Sequence, residues 1–293
     1  MAHSPAWFDQ FYDSYPRIEE AFQAELDQSL NPRGPDSLYD YAAELGLPAG
    51  SSVLDLGSGE GAFSIGLAER FGFNVVGVDR VPGHIERSTD ALAVSSVRSL
   101  VRFELGTAEA LPLEHASIDL IWCRDMLVHI ADLEQVYREC MRVLRPGAKM
   151  LVYQMFGTDR LEPQEAAWLW HTMGVVPTSA DPEITEAAIA AAGLTIDRCA
   201  ELGPEWGEWG QEHDGRVGRY ALHAARLLRQ PSRYIAKYGQ AAYDIKLGDC
   251  LWHLYRMIGK LSPRIYVLSK PRHETLYSRR DSQRETGQGA GFT

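Results

Sequence analysis

The segment Val53-Leu54-Asp55-Leu56-Gly57-Ser58-Gly59-Glu60-Gly61 runs an apolar strand into a turn of three glycines. Val75-Val76-Gly77-Val78-Asp79 follows as a second apolar strand that ends on an acid. Strand, glycine turn, helix and second strand make a βαβ unit, which commits the chain to an α/β sheet that carries its ligand at the carboxyl ends of the strands. The turn needs glycine because the backbone passes where a Cβ would obstruct a ligand, and the helix that follows presents free N–H groups. Gly57, Gly59 and Ala62 also satisfy a dinucleotide fingerprint, with Asp79 at about twenty residues beyond. The turn alone therefore leaves two cofactor classes open.

Asp55 stands two residues before the first glycine and extends the motif to D-x-G-x-G-x-G. Three further segments follow in order: Asp79 closing the second strand, Gly106-Thr107-Ala108-Glu109-Ala110-Leu111-Pro112 after a third, and Leu144-Arg145-Pro146-Gly147 before a fifth. Together these cover residues 50–156 and resemble the class I S-adenosylmethionine-dependent methyltransferases of small-molecule type. The resemblance implies a doubly wound, mostly parallel seven-stranded Rossmann-like α/β sheet, with an N-terminal helical cap and a helical lid inserted before the last strand. It also implies S-adenosylmethionine as cofactor.

Residue by residue, the resemblance places Gly57, Ser58, Gly59 and Gly61 against the methionyl part of the cofactor, with Asp55 holding its amino group directly or through water. Asp79 would accept from both ribose hydroxyls, and Arg80 would cover the adenine edge. The family's usual aspartate after Gly106 is replaced here by Thr107, so either the Thr107 hydroxyl or the Glu109 carboxylate takes the adenine amino group, while the Ala108 N–H serves the ring. The carbonyl of Cys123 would contact the cofactor's amino group. Asp125 and His129, four residues apart, would approach the methyl acceptor, and an imidazole is the side chain suited to general-base work near neutral pH. Trp7, Phe11, Tyr12 and Tyr15 resemble the helix that closes over the cofactor, Tyr15 as the gating contact and Tyr12 on the substrate side.

Composition narrows the acceptor. A net charge of −11 over 293 residues argues against a nucleic-acid partner, which needs a concentrated positive surface. No Asn/Asp-Pro-Pro-aromatic signature of the kind used on nucleic-acid bases follows the fourth strand. Cys123, Cys140, Cys199 and Cys250 are far apart and indicate neither a metal site nor a disulfide framework. No signal peptide and no membrane-length apolar run is visible, so a cytoplasmic setting is expected.

Along the chain, residues 1–34 read as a helical cap interrupted near Pro16, 35–203 as the core, 204–262 as the lid, 263–270 as the last core strand and 271–293 as a loose tail. An amphipathic stripe through Leu247, Leu251, Leu254, Tyr255, Ile258 and Leu261 predicts a helix over 243–261. Five of the seven tryptophans follow the fifth strand. Trp206, Trp209 and His213 sit in a segment that interleaves rings with carboxylates, suited to a flat aromatic substrate or a cationic amine. Arg219 lies in the basic stretch just beyond, suited instead to a carboxylate or phosphate. The expected activity is methyl transfer to carbon, nitrogen or oxygen of a small aromatic molecule, indole- or phenol-like, of the kind met in secondary metabolism. The partner is that small-molecule acceptor, with no nucleic acid or membrane and with a homodimer left open. The alternatives are an NAD(P)-dependent oxidoreductase and a non-catalytic S-adenosylmethionine-binding protein.

Overall fold

The computed structural model describes residues 5–272. The chain begins with α1 (Pro5–Leu26) and α2 (Ser37–Glu44), then alternates strand and helix: β1 (Ser52–Leu56), α3 (Ala62–Phe71), β2 (Asn74–Asp79), α4 (Pro82–Ala93), β3 (Val101–Leu105), β4 (Ile118–Arg124), α5 (Leu133–Val143) and β5 (Leu144–Gly157). It continues with α6 (Pro163–Met173), α7 (Pro182–Ala191) and β6 (Thr195–Glu201). Four helices, α8 (Glu205–Asp214), α9 (Arg216–Arg229), α10 (Pro231–Tyr238) and α11 (Gln240–Met257), precede β7 (Leu261–Ser269).

The sheet order is β3-β2-β1-β4-β5-β7-β6. Strands β1 to β5 pair in parallel and β7 runs antiparallel between β5 and β6. The chain walks from β1 to one edge and then returns to place β4 on the other side of β1. That reversal opens a crevice between the carboxyl ends of β1 and β4.

Both faces of the sheet are covered, which is why β4 and β5 read as continuous apolar runs. On one face Val53, Leu120, Trp122, Leu151 and Tyr153 pack with Leu38 of α2, Leu67 of α3 and Trp206 of α8. On the other, Leu54, Val76, Ile121 and Tyr266 pack with Val136, Tyr137 and Ile189 of α5 and α7. A separate small core of Ala224, Leu227, Tyr243, Leu247 and Cys250 joins α9 to α11.

Two expectations change. The first helix is not interrupted at Pro16 but runs through it. The carbonyl that Pro16 leaves without a partner belongs to Tyr12, on an exposed stretch of the helix. The last lid helix stops at Met257, because Gly259 turns left-handed with φ 73°, and Leu261 already belongs to β7. Of the segment expected to be a loose tail, residues 273–293 lie outside the described residues.

Candidate active site at the β1–β4 crevice

The glycine loop is fixed by β2. The N–H groups of Gly57 and Ser58 donate to the Val78 carbonyl at 2.8 and 3.1 Å. Asp79, at the end of β2, accepts from the Gly59 N–H through Oδ2 and from the Val81 N–H through Oδ1, both at 2.9 Å. His84 Nδ1 lies 3.2 Å from the same Oδ1. Asp79 therefore holds the loop in place while its carboxylate, with about four lone-pair sites, keeps capacity for a further donor.

Gly59 and Gly61 have different tasks although both lie in the left-handed region. A Cβ on Gly61 (φ 84°) would come within 2.5 Å of Phe103 Cζ and 2.9 Å of Ser88 Cβ, so this glycine is required by packing. A Cβ on Gly59 (φ 54°) would meet nothing within 4 Å. The loop at Gly59 faces open space, where a bound molecule can lie against the backbone. Met126 covers Gly57, with Cγ 2.5 Å from where a Cβ would stand. A cavity of about 40 Å³ runs on past Gly57, Asp79, Arg80, Ala108, Glu109 and Met126.

The two candidates for the adenine end part company here. Glu109 lines the cavity, whereas the Thr107 side chain is exposed and its backbone forms an isolated bridge with Ala110. The loop that carries them is latched to α5. Gln135 Nε2 donates to the Glu109 carbonyl at 3.0 Å, the Leu111 N–H donates to Glu139, and Arg142 donates to the carbonyls of Leu111 and Leu113. Hydrogen bonding from Arg142 holds the Glu139 carboxyl below its usual range.

Asp55, 3% exposed in β1, accepts a 2.6 Å hydrogen bond from Ser64 Oγ of α3. Burial pushes its carboxyl up to about 6, against the opposing effect of that hydrogen bond. A carboxyl raised in the folded state binds its proton more readily there than in the unfolded chain. Its stabilising contribution is thus complete below about pH 4 and lost as pH rises through about 6. The stability of the ligand-free protein relative to Asp55→Asn is expected to fall over that window by on the order of 2–3 kcal/mol. Affinity for an ammonium-bearing ligand is expected to rise over the same window. Denaturant titrations of both proteins at several pH values check this, and a difference independent of pH would contradict the burial argument.

At the end of β4, Cys123 is buried, with its thiol pushed well up by burial. Asp125 adopts φ 54°, a left-handed conformation uncommon for a non-glycine residue and typical of sites where local strain serves a purpose. Its Oδ1 is sealed from solvent with no hydrogen-bond partner, and burial raises its carboxyl. The helical spacing expected for Asp125 and His129 is not realised: a 3₁₀ turn, Leu127–His129, follows the left-handed residue. His129 is exposed, and its Nδ1 lies 2.8 Å from the Gly174 carbonyl. That carbonyl can only accept, so Nδ1 is the donor to it, and in the neutral ring Nε2 is the acceptor available to a ligand.

The structure also brings in residues that the sequence did not single out. The Arg124 guanidinium lies 4.4 Å from the Phe63 ring centroid, 5.6 Å from Trp206 and 5.8 Å from Tyr153. Trp206 is stacked on Tyr153 at 4.2 Å, and Arg256 of α11 acts electrostatically on both Asp125 and Tyr153. An arginine directly after the apolar run Leu120-Ile121-Trp122-Cys123 was the available signal for Arg124. Arg256 carried none, since it reads as the polar face of its helix.

The other predicted residues lie elsewhere. Trp209 covers Gly34 and stacks on His213 at 4.1 Å. His213 is exposed and bonded to the Trp209 carbonyl, while Arg219 borders an outer cleft with Arg216, Tyr220, His223 and Lys246. The helix expected to close over the cofactor does not do so here: the described side chains of α1 are exposed all round except Ser14, which is half-buried, with Tyr12 at 70% and Tyr15 at 47%. The segment after α1 docks on α8 through Ser29 with Glu212 and Arg33 with Glu205.

Among the described residues no group of three or more His, Cys, Asp and Glu is placed to hold a metal, and no helix is long and apolar enough to cross a membrane.

Comparison with known proteins addresses the same region. Residues 54–152 match a family model described as a methyltransferase domain. Methyltransferase GfsG of Streptomyces halstedii is 34% identical over 120 residues, 41% of this chain and 42% of that protein. The 27-O-demethylrifamycin SV methyltransferase of Amycolatopsis mediterranei is 32% identical over 144 residues, 49% of this chain and 50% of that one. The chain thus spans about half the length, or less, of these two relatives. Among solved structures the [4+2]-cyclase SpnF shares the fold, with a TM-score of 0.64 and 21% identity over 81% of this chain and 82% of that one. The matched span runs from the strand before the glycine loop into the fifth strand, so this part of the chain is similar to a methyltransferase domain and carries the glycine loop, Asp79 and the end of β4 within it.

Proposed function

We propose that this protein transfers the methyl group of S-adenosylmethionine to carbon, nitrogen or oxygen of a small molecule. The observation that carries the reading is Asp79, a carboxylate only 9% exposed, tied to the Gly59 N–H and bordering both the open side of the loop and the cavity that leads to Glu109. A carboxylate so placed at the end of β2 suits the two hydroxyls of a ribose. Asp55 supplies an acceptor for the cofactor's ammonium, Cys123 a carbonyl beside it, and Glu109 rather than Thr107 the acceptor at the adenine end.

The cofactor, when bound, supplies an electrophilic methyl group. Transfer is an in-line displacement, so the protein's main task is to align the acceptor atom with the sulfur–methyl axis. Asp125 and the residues around it hold the acceptor, and His129 takes the proton where the acceptor must lose one. The helices α8 to α11 cover this side, and closure of α1 over the crevice through Tyr15 on ligand binding would keep water from competing. The rings of Trp206, Tyr153 and Phe63 suit an aromatic acceptor of indole or phenol type. The rifamycin relative is named for an oxygen acceptor, which makes oxygen the first atom to test.

Incubation with methyl-deuterated S-adenosylmethionine and a mixed panel of phenols, indoles, amines and acids, read by mass spectrometry, should give a labelled product. Asp79→Ala is expected to weaken cofactor affinity by about 1–3 kcal/mol. Unchanged affinity would remove the ribose assignment. Cofactor binding with no transfer to any panel member would favour the non-catalytic alternative.

A further inference from the structure

Buried polar atoms normally find hydrogen-bond partners, yet five that lack them gather in one place: Arg124 Nε, Asp125 Oδ1, Tyr153 Oη, Trp206 Nε1 and Arg256 Nε. The chain brings them together from three parts of the fold. Arg124 and Tyr153 are register partners on β4 and β5, and the Asp125 N–H donates to the Tyr153 carbonyl at 3.0 Å. Trp206 comes from α8 and lies flat on Tyr153. Arg256 comes from α11 and approaches the Tyr153 hydroxyl without reaching hydrogen-bond geometry.

The set is unbalanced. Two guanidinium N–H groups and an indole N–H can only donate, and the phenol O–H can do so too, while Asp125 Oδ1 is the one carboxylate oxygen among the five. Within these five groups two positive charges face one negative charge, with Asp55 acting on Arg124 from β1. A cationic amine would add a third positive charge and satisfy none of the donors. An oxygen-rich anion satisfies several at once, and a guanidinium fork matches its geometry.

We propose that this cluster is the acceptor-recognition subsite and that it binds an oxyanionic group, a carboxylate or a phosphate, carried by the molecule that receives the methyl group.

Both arginines are held ready for that task. Arg124 rests on the Phe63 ring. Arg256 is oriented from behind, on one face of α11. One of its terminal nitrogens, Nη2, donates to His253 Nδ1 at 3.3 Å, and His253 Nε2 lies 3.7 Å from Asp249 Oδ1. Burial and the neighbouring Arg256 push His253 down to about 4, so it stays a neutral acceptor for Arg256 Nη2 near neutral pH. His253 is in turn stacked on Tyr220 at 3.9 Å. Arg256 is thus a specificity residue and His253 a positioning residue.

The inference rests on the methyltransferase reading, and calorimetry separates the two. The protein is first titrated with S-adenosylhomocysteine, and absence of binding there counts against the cofactor reading alone. The saturated protein, or the free protein in that event, is then titrated with matched sets that share one ring: benzoate, phenyl phosphate, benzamide and benzylamine, and indole-3-carboxylate with its amide and tryptamine. At least one oxyanion should bind about tenfold or more tightly than its amide, the worth of a charge-assisted hydrogen bond. Whether the carboxylate or the phosphate leads identifies the group. Arg256→Gln and Arg124→Gln should each remove most of that preference, with thermal melts to show that the proteins are folded, and Arg256→Lys should retain part of it. A panel in which no oxyanion binds more tightly than its amide, including one in which nothing binds, overturns the proposal. So does a preference for the amines, or one that survives both glutamine variants.

Discussion

Gly61→Ala is expected to cost about 2–5 kcal/mol of folding stability, because the new methyl group combines left-handed strain of about 1–2 kcal/mol with overpacking of about 1–3 kcal/mol. The methyl would lie 2.5 Å from Phe103 Cζ, and Ser88 on the other side prevents an easy shift. Against a typical total of about 5–15 kcal/mol this is a large fraction. Gly59→Ala is the informative contrast. Its Cβ meets nothing, so only the strain of about 1–2 kcal/mol should appear in stability. The same methyl points into the space where the cofactor is proposed to lie, so affinity for S-adenosylmethionine should fall about tenfold or more, as expected when a backbone approach is obstructed. Denaturant titration and calorimetry on the two variants check the pair. Equal stability losses would contradict the packing contrast, and normal affinity in Gly59→Ala would mean that the open side of the loop is not a binding surface.

His129→Ala is expected to lower turnover by about 10²-fold or more, with cofactor affinity unchanged, since proton transfer by a placed base contributes about 10²–10⁴-fold. The ring is held by the Gly174 carbonyl at Nδ1, and the 3₁₀ turn that carries it is tied to the segment after α6 by the Val176 N–H to the Val128 carbonyl at 2.8 Å. His129→Asn separates chemistry from positioning. Its amide can still donate to Gly174 but cannot take a proton, so it should be as slow as alanine. Recovery of the rate in His129→Asn would make the residue a positioning group.

What was legible in the sequence was local. The glycine loop, Asp79 and the strand–helix alternation each reside within a short stretch, and the alternation of apolar strands and helices leads to the parallel sheet without knowledge of distant contacts. What was not legible depends on approach between remote segments. Arg256 lies more than a hundred residues from Arg124, Asp125 and Tyr153, and nothing in its own neighbourhood distinguishes it from a solvated helix residue. Trp206 and Trp209 are three apart on α8, yet one is stacked on Tyr153 and the other covers Gly34. Which of Thr107 and Glu109 borders the cavity is decided by the bridge between Thr107 and Ala110 and the latch to α5, neither of which has a sequence signature. The aromatic residues of α1 show the opposite case. Their spacing is plainly helical, but Tyr12 and Tyr15 remain 70% and 47% exposed, so spacing gave the helix and not its destination.

The glycine loop fits two cofactor classes by letter, and Asp55 together with the geometry around Asp79 favours one of them. Side-by-side calorimetry of the intact protein with S-adenosylmethionine and with NAD and NADP tests that choice most directly. The account predicts binding of S-adenosylmethionine in the micromolar range or tighter, about −8 kcal/mol, weakened in Asp79→Ala, and no measurable affinity for either nicotinamide cofactor. Micromolar affinity for NAD or NADP with none for S-adenosylmethionine would contradict it.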